Sequence, residues 1–137
     1  MNVKEYLSQA YHIDQRIDCK MEQIKSLRCL ATKATSTLSD MPISKTEGQS
    51  RMADVIAKIV DLEEEINKDI EKLVEIKKNI VSTIKKVQNP ELQTLLELRY
   101  LCFRTWEQIA VEMNYDLRYL HKLHRRSLEV CDGITGH

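Results

Sequence analysis

The sequence predicts an all-α protein: a long N-terminal antiparallel helical hairpin of coiled-coil character, followed by a three-helix helix-turn-helix module. Three observations carry this expectation. The chain has three Gly and two Pro in 137 residues, too few turn formers for an all-β fold. Apolar residues recur at helical spacing over long stretches. Helix-start residues stand where that spacing restarts, at Asn89-Pro90, Thr105 and Asp116.

The first helix is expected from about Val3 to Leu38. Leu7, Ala10, Ile13, Ile17, Met21, Ile24, Leu27 and Ala31 follow each other at three or four residues, with charged residues between them. Thr35 to Gln49 is rich in hydroxyls and turn formers, including Pro42 and Gly48, and reads as the connector. The second helix carries the strongest period. Met52, Ile59, Ile66, Leu73, Ile80 and Val87 fall at seven-residue intervals, with Val55, Leu62 and Ile76 at the partner positions. Such a row reads as a coiled-coil seam, which makes Met52, Ile59, Ile66, Leu73 and Ile80 the candidate oligomerisation or partner surface. Asp69 and Thr83 interrupt the row, and a polar residue in a seam most often sets register. Ile56, Val60, Ile70, Val74, Val81 and Ile84 widen the apolar stripe beyond two strands, which favours a homodimer.

Asn89-Pro90 ends the hairpin, since Pro cannot continue a helix yet suits the first turn of a new one under an Asn cap. The expected division is residues 1–88 for the hairpin, 89–131 for the C-terminal module and 132–137 for a flexible tail. In that module Leu92, Leu95, Leu96, Leu98 and Leu101 mark a supporting helix. Thr105 with Gln108 forms a capping-box pattern ahead of Trp106 to Met113. Asn114-Tyr115 suits a tight turn with a left-handed residue, and Asp116 caps a final helix that turns Leu120, Leu123 and Leu128 inward.

Charge is balanced overall, with 21 basic and 21 acidic residues, but unevenly placed. Between Asp61 and Glu75 seven acids face two lysines. Between Asp116 and Ser127 Arg118, Lys122, Arg125 and Arg126 face Asp116 alone, and His121 and His124 can add to them. A basic helix presented behind a capped turn is the arrangement that enters the major groove of double-stranded DNA. The candidate contacts are Arg118 and Lys122, which can pair with guanine edges or phosphates, Leu117 as a thymine-methyl contact or a core edge, Tyr119 reaching phosphate or covering the core, and His121 near phosphate, with Arg104, Arg125 and Arg126 farther out on the backbone.

The segments Leu98-Arg-Tyr-Leu, Thr105-Trp-Glu-Gln-Ile-Ala-Val-Glu-Met-Asn-Tyr-Asp and Leu120-His-Lys-Leu-His-Arg-Arg-Ser-Leu128 resemble the promoter-recognising C-terminal region of bacterial sigma factors. They resemble still more a family of short phage and prophage proteins with a helical N-terminus and a sigma-like C-terminus, to which phage late-gene activators are related. Where a capping Ser or Thr stands in that family, this chain has Asp116. The resemblance implies promoter binding and contact with RNA polymerase. It does not imply a complete initiation factor, because the hairpin has no counterpart of the promoter-melting regions.

Other chemistries find little support in the sequence. No apolar run reaches the roughly 18 residues that span a membrane. Cys19, Cys29, Cys102 and Cys131 form no C-x-x-C pair and follow no secretory leader pattern, which predicts reduced thiols in the cytoplasm. His121 and His124 lack the further ligands a zinc site needs, so no metal or other cofactor is expected. No phosphate loop or nucleophile motif is present, so no enzymatic activity is expected. The competing readings are a helical adaptor or sigma mimic that binds polymerase without DNA, motivated by the acidic stretch of the second helix, and a phage DNA-packaging component.

Overall fold

The computed structural model describes the backbone of residues 1–40 and 45–135, and the side chains of residues 1–33 and 50–135. Among these residues the protein is all-α, without strands, in the order α1 (Val3–Asp40), α2 (Lys45–Lys85), α3 (Pro90–Leu96), a π-helical turn (Glu97–Leu101), α4 (Trp106–Met113) and α5 (Leu117–Thr135). None of these helices is long and apolar enough to cross a membrane.

The helices run further than their apolar spacing indicated. Of the connector expected over residues 35–49, α1 takes the part up to Asp40 and α2 the part from Lys45; residues 41–44 lie outside the described residues. At the other end, α5 continues through Gly133 to Thr135, so most of the expected tail is helical, while residues 136–137 lie outside the described residues.

The chain forms two compact units, one of Gln15–Glu71 and one of Met1–Asp14 with Lys72–His137. In the first, α1 and α2 run antiparallel. Lys20 Nζ meets Asp69 Oδ2 at 2.6 Å and Arg28 meets Glu63 at 3.2 Å, while Ile17, Ile24 and Ile66 are buried. Asp69 therefore interrupts the apolar row because a lysine stands opposite it.

In the second unit Val3, Leu7 and Ala10 share one core with Ile80, Ile84, Val87, Leu92, Leu95, Leu96, Tyr100, Ile109, Leu120, Leu123 and Cys131. The boundary expected at residues 88/89 falls inside this core. Thr83, the other interruption, is buried, and its hydroxyl lies 3.3 Å from that of Tyr6.

The heptad row is largely covered by the chain itself. Ile66 is 6% exposed and Ile80 fully buried, while Met52, Ile59 and Leu73 are half-buried. Among the described residues, the large apolar side chains left exposed on α2 are Ile56, Val60, Ile70 and Val74. Ile66 and Ile80, expected on the oligomerisation or partner surface, are both buried by the chain itself.

Candidate nucleic-acid interface

Local bonds build the C-terminal module as its sequence indicates. The Asn89 side chain accepts from the Glu91 amide at 2.9 Å, and Pro90 follows as the first helical residue of α3. Thr105 Oγ1 accepts from the Gln108 amide at 3.2 Å while Gln108 Oε1 accepts from the Thr105 amide at 2.9 Å, a reciprocal capping box. Asn114 closes α4 in the left-handed region, at φ 62° and ψ 45°. Asp116 Oδ1 then accepts from the Tyr119 amide at 2.8 Å and opens α5.

The sequence gives no such warning of the link between α3 and α4. The Cys102 amide reaches back five residues to the Glu97 carbonyl, and Phe103 takes φ 56°. A non-glycine residue at positive φ carries a cost of order 1 kcal/mol, offset here by contacts on both sides. Lys77 Nζ lies 4.8 Å from the Phe103 ring centre, and the Tyr11 ring meets it edge-on at 5.7 Å.

Helix α5 turns Leu120, Leu123, His124, Ser127 and Cys131 into the core. Arg118, Lys122 and Arg125 fall within an arc of about 60° on the opposite side, at about 100° per residue. They are exposed, and none of them forms an ion pair among the described residues. Arg126 is exposed as well, turned about 80° from Arg118. Leu117 and Tyr119 are 41% and 42% exposed and flank the basic arc on either side. Tyr119 packs edge-on against Tyr115 at 4.8 Å, and His121, exposed, leans on Trp106 at 5.0 Å.

Two expected contributors stand differently. Arg104 donates to Glu112 at 2.9 Å, so its charge is already partly neutralised by α4. His124 adds no charge to the basic face. It is 8% exposed, lies 4.6 Å from Trp106 ring to ring, and bonds through Nε2 to the Tyr100 hydroxyl at 2.6 Å. Burial, and after it the nearby charges of Lys4, Arg99 and His121, pull its pKa down to about 4.

Arg99 was not among the sequence candidates, yet it ties the module together. Its guanidinium lies 4.4 Å over the Trp106 ring and donates to the Arg104 carbonyl at 3.0 Å. Nothing in the leucine spacing around it marks this role, which depends on the π-helical turn.

The module as built offers a cationic helix face of the right width for a groove. A helix with side chains is about 10–12 Å across and the major groove about 12 Å wide. No curated protein and no solved structure matches the chain. A family match does exist over residues 33–130, most of the chain, and by it the protein belongs to the family described as protein of unknown function, DUF1492.

Proposed function

We propose that the protein is a DNA-binding transcriptional regulator of phage or prophage type, acting in the cytoplasm as a homodimer, with α5 read into the major groove of promoter DNA. The observation that carries the reading is the set of exposed, unpaired cations Arg118, Lys122 and Arg125 on one side of a helix whose other side is fixed in a core. The basic arc lies behind a capped three-residue turn, and neutralising phosphates would release counterions. Arg126 extends the contact to one strand, while Arg104 contributes less because of Glu112. Dimerisation, in this reading, uses the exposed row Ile56, Val60 and Ile70 of α2.

The test is fluorescence anisotropy with labelled promoter fragments across a salt series. The expected affinity falls roughly a hundredfold between about 50 and 200 mM salt, for about four phosphate contacts each adding a slope of about −0.9. Absence of binding at low salt across a pool of fragments would overturn the reading.

A protein-only adaptor that engages RNA polymerase is the second reading. The same exposed apolar row on α2 favours it, since a second helix of another protein covers such a row as well as a second copy does. Retention of polymerase in a pull-down by an Arg118→Ala/Lys122→Ala variant supports this second reading. Loss of polymerase in that variant counts against it.

A further inference from the structure

The start of α1, the π-helical turn and the start of α4 enclose a cavity of about 330 Å³ within the unit of Met1–Asp14 and Lys72–His137. Its lining includes the basic side chains of Lys4, His12 and Arg99 and no acidic side chain. Tyr11 and Trp106 supply aromatic surface, and Tyr11 is 45% exposed.

We propose that this cavity binds a mononucleotide, with its phosphate held by Lys4, Arg99 and His12 and its base against Tyr11. The proposal goes beyond DNA binding and does not depend on it. Arg99 is the anchor. Stacking on Trp106 and the bond to the Arg104 carbonyl hold its guanidinium in place and leave further donors for a phosphate, for which its planar fork is suited. Lys4 and His12 form no ion pair among the described residues, so no carboxylate holds either side chain away from a phosphate.

Size selects within the nucleotides. Ligand pockets span roughly 300–1,000 Å³, and 330 Å³ lies at the end suited to one base with its sugar and phosphate. A dinucleotide or a polymer strand would not be enclosed. Aromatic faces accept any base, so discrimination among bases is expected to be weak.

Trp106 is the only tryptophan in the chain and lines the cavity, so its fluorescence reports occupancy directly. The full chain is titrated, without DNA, with adenosine and uridine 5′-monophosphates, and separately with adenosine and inorganic phosphate, with calorimetry as a second readout. Saturable binding of both monophosphates is expected. Lys4→Ala and His12→Ala, both on exposed positions, are expected to weaken it roughly tenfold, as loss of a charge-assisted bond does. Arg118→Ala, on α5, is expected to leave it unchanged. The proposal is overturned by any one of four results: no saturable binding at millimolar ligand, equal affinity for phosphate alone, indifference to Lys4→Ala, or equal loss in Arg118→Ala. If DNA binding fails while mononucleotide binding persists, only the regulator reading falls.

Discussion

The Tyr100 hydroxyl lies 2.6 Å from Nε2 of His124, joining the π-helical turn after α3 to the middle of α5. Both groups are neutral at pH 7, because burial raises the tyrosine pKa to about 12 and, with neighbouring cations, lowers the histidine pKa to about 4. Unfolded histidine protonates near 6.5. The unfolded chain therefore binds the proton first, and stability present above about pH 6.5 is lost as pH falls towards 4 and below. At the other extreme the tyrosine withdraws its contribution as pH rises from about 10 through about 12. Thermal unfolding followed by circular dichroism is expected to show a plateau between these limits. His124→Gln is expected to lower stability at pH 7 by about 1–2 kcal/mol and to flatten the acid slope between about pH 6.5 and 4.5. An unchanged acid slope would place the titration elsewhere.

On α5, Arg118→Ala is expected to cost about 1–3 kcal/mol on a specific DNA site and to relax discrimination there. Lys122→Ala and Arg125→Ala are expected to weaken all DNAs similarly and to reduce the salt slope by about 1 each. Arg104→Ala is expected to have a smaller effect, given the Glu112 partner at 2.9 Å. Anisotropy titrations on matched and scrambled fragments separate these outcomes. Equal effects at all four positions would contradict the arrangement of the face.

Lys20 and Asp69, each 15% exposed, form the closest ion pair among the described residues of their unit. Lys20→Met alone leaves a largely buried carboxylate without its partner, and is expected to destabilise the protein by about 2–4 kcal/mol. Lys20→Met/Asp69→Leu is expected to recover most of that loss, because apolar replacement of a buried pair is often neutral or favourable. Urea unfolding of the parent chain and the two variants measures both numbers. A double variant no better than the single one would show that the pair itself is stabilising.

The turn before α5 gives a backbone test. Asn114 has φ 62°, so Asn114→Gly is expected to be near neutral, while Asn114→Val is expected to cost about 1–2 kcal/mol. Asp116→Ala removes the bond to the Tyr119 amide and is expected to cost about 1 kcal/mol.

For the exposed row on α2, Val60→Glu and Ile70→Glu place charge where Val60 is 46% and Ile70 40% exposed. Light scattering is expected to report a dimer for the parent chain and a monomer for the double variant. A parent that is already monomeric rules out this surface as a dimer seam.

What the sequence made legible follows the range of each interaction. The caps at Asn89, Thr105 and Asp116 and the left-handed Asn114 rest on bonds spanning two to four residues, so residue type and spacing announce them. The burial of His124 was also written in the spacing, since Leu120, His124, Ser127 and Cys131 share one face; charge drew the eye to the imidazole and away from its position. Long-range packing left no such mark. The period of α1 shows that Leu7 and Ala10 are inward, and not that they join the core that holds Ile109 and Leu120 about a hundred residues away. For α2, the heptad row identifies an apolar seam. Whether a chain covers its own seam depends on what stands opposite, and Lys20 across from Asp69 decides that only in three dimensions. The exposed positions of Arg118, Lys122, Arg125 and Arg126 follow from the same helical spacing, whereas the pairing of Arg104 with Glu112 does not.

The first fourteen residues complete a core whose remainder begins at Lys72, and this constrains how the protein is made and handled. During synthesis Val3, Leu7 and Ala10 emerge well before the other members of their core, and they find their places only once the segment from Lys72 onward has followed. Closing so large a loop delays folding more than it weakens the final state. A fragment beginning at Asn89 would lack Val3, Leu7, Ala10, Ile80, Ile84 and Val87, six members of the core that buries Leu95 and Leu96, so removing residues 1–14 is expected to loosen the C-terminal helices as well.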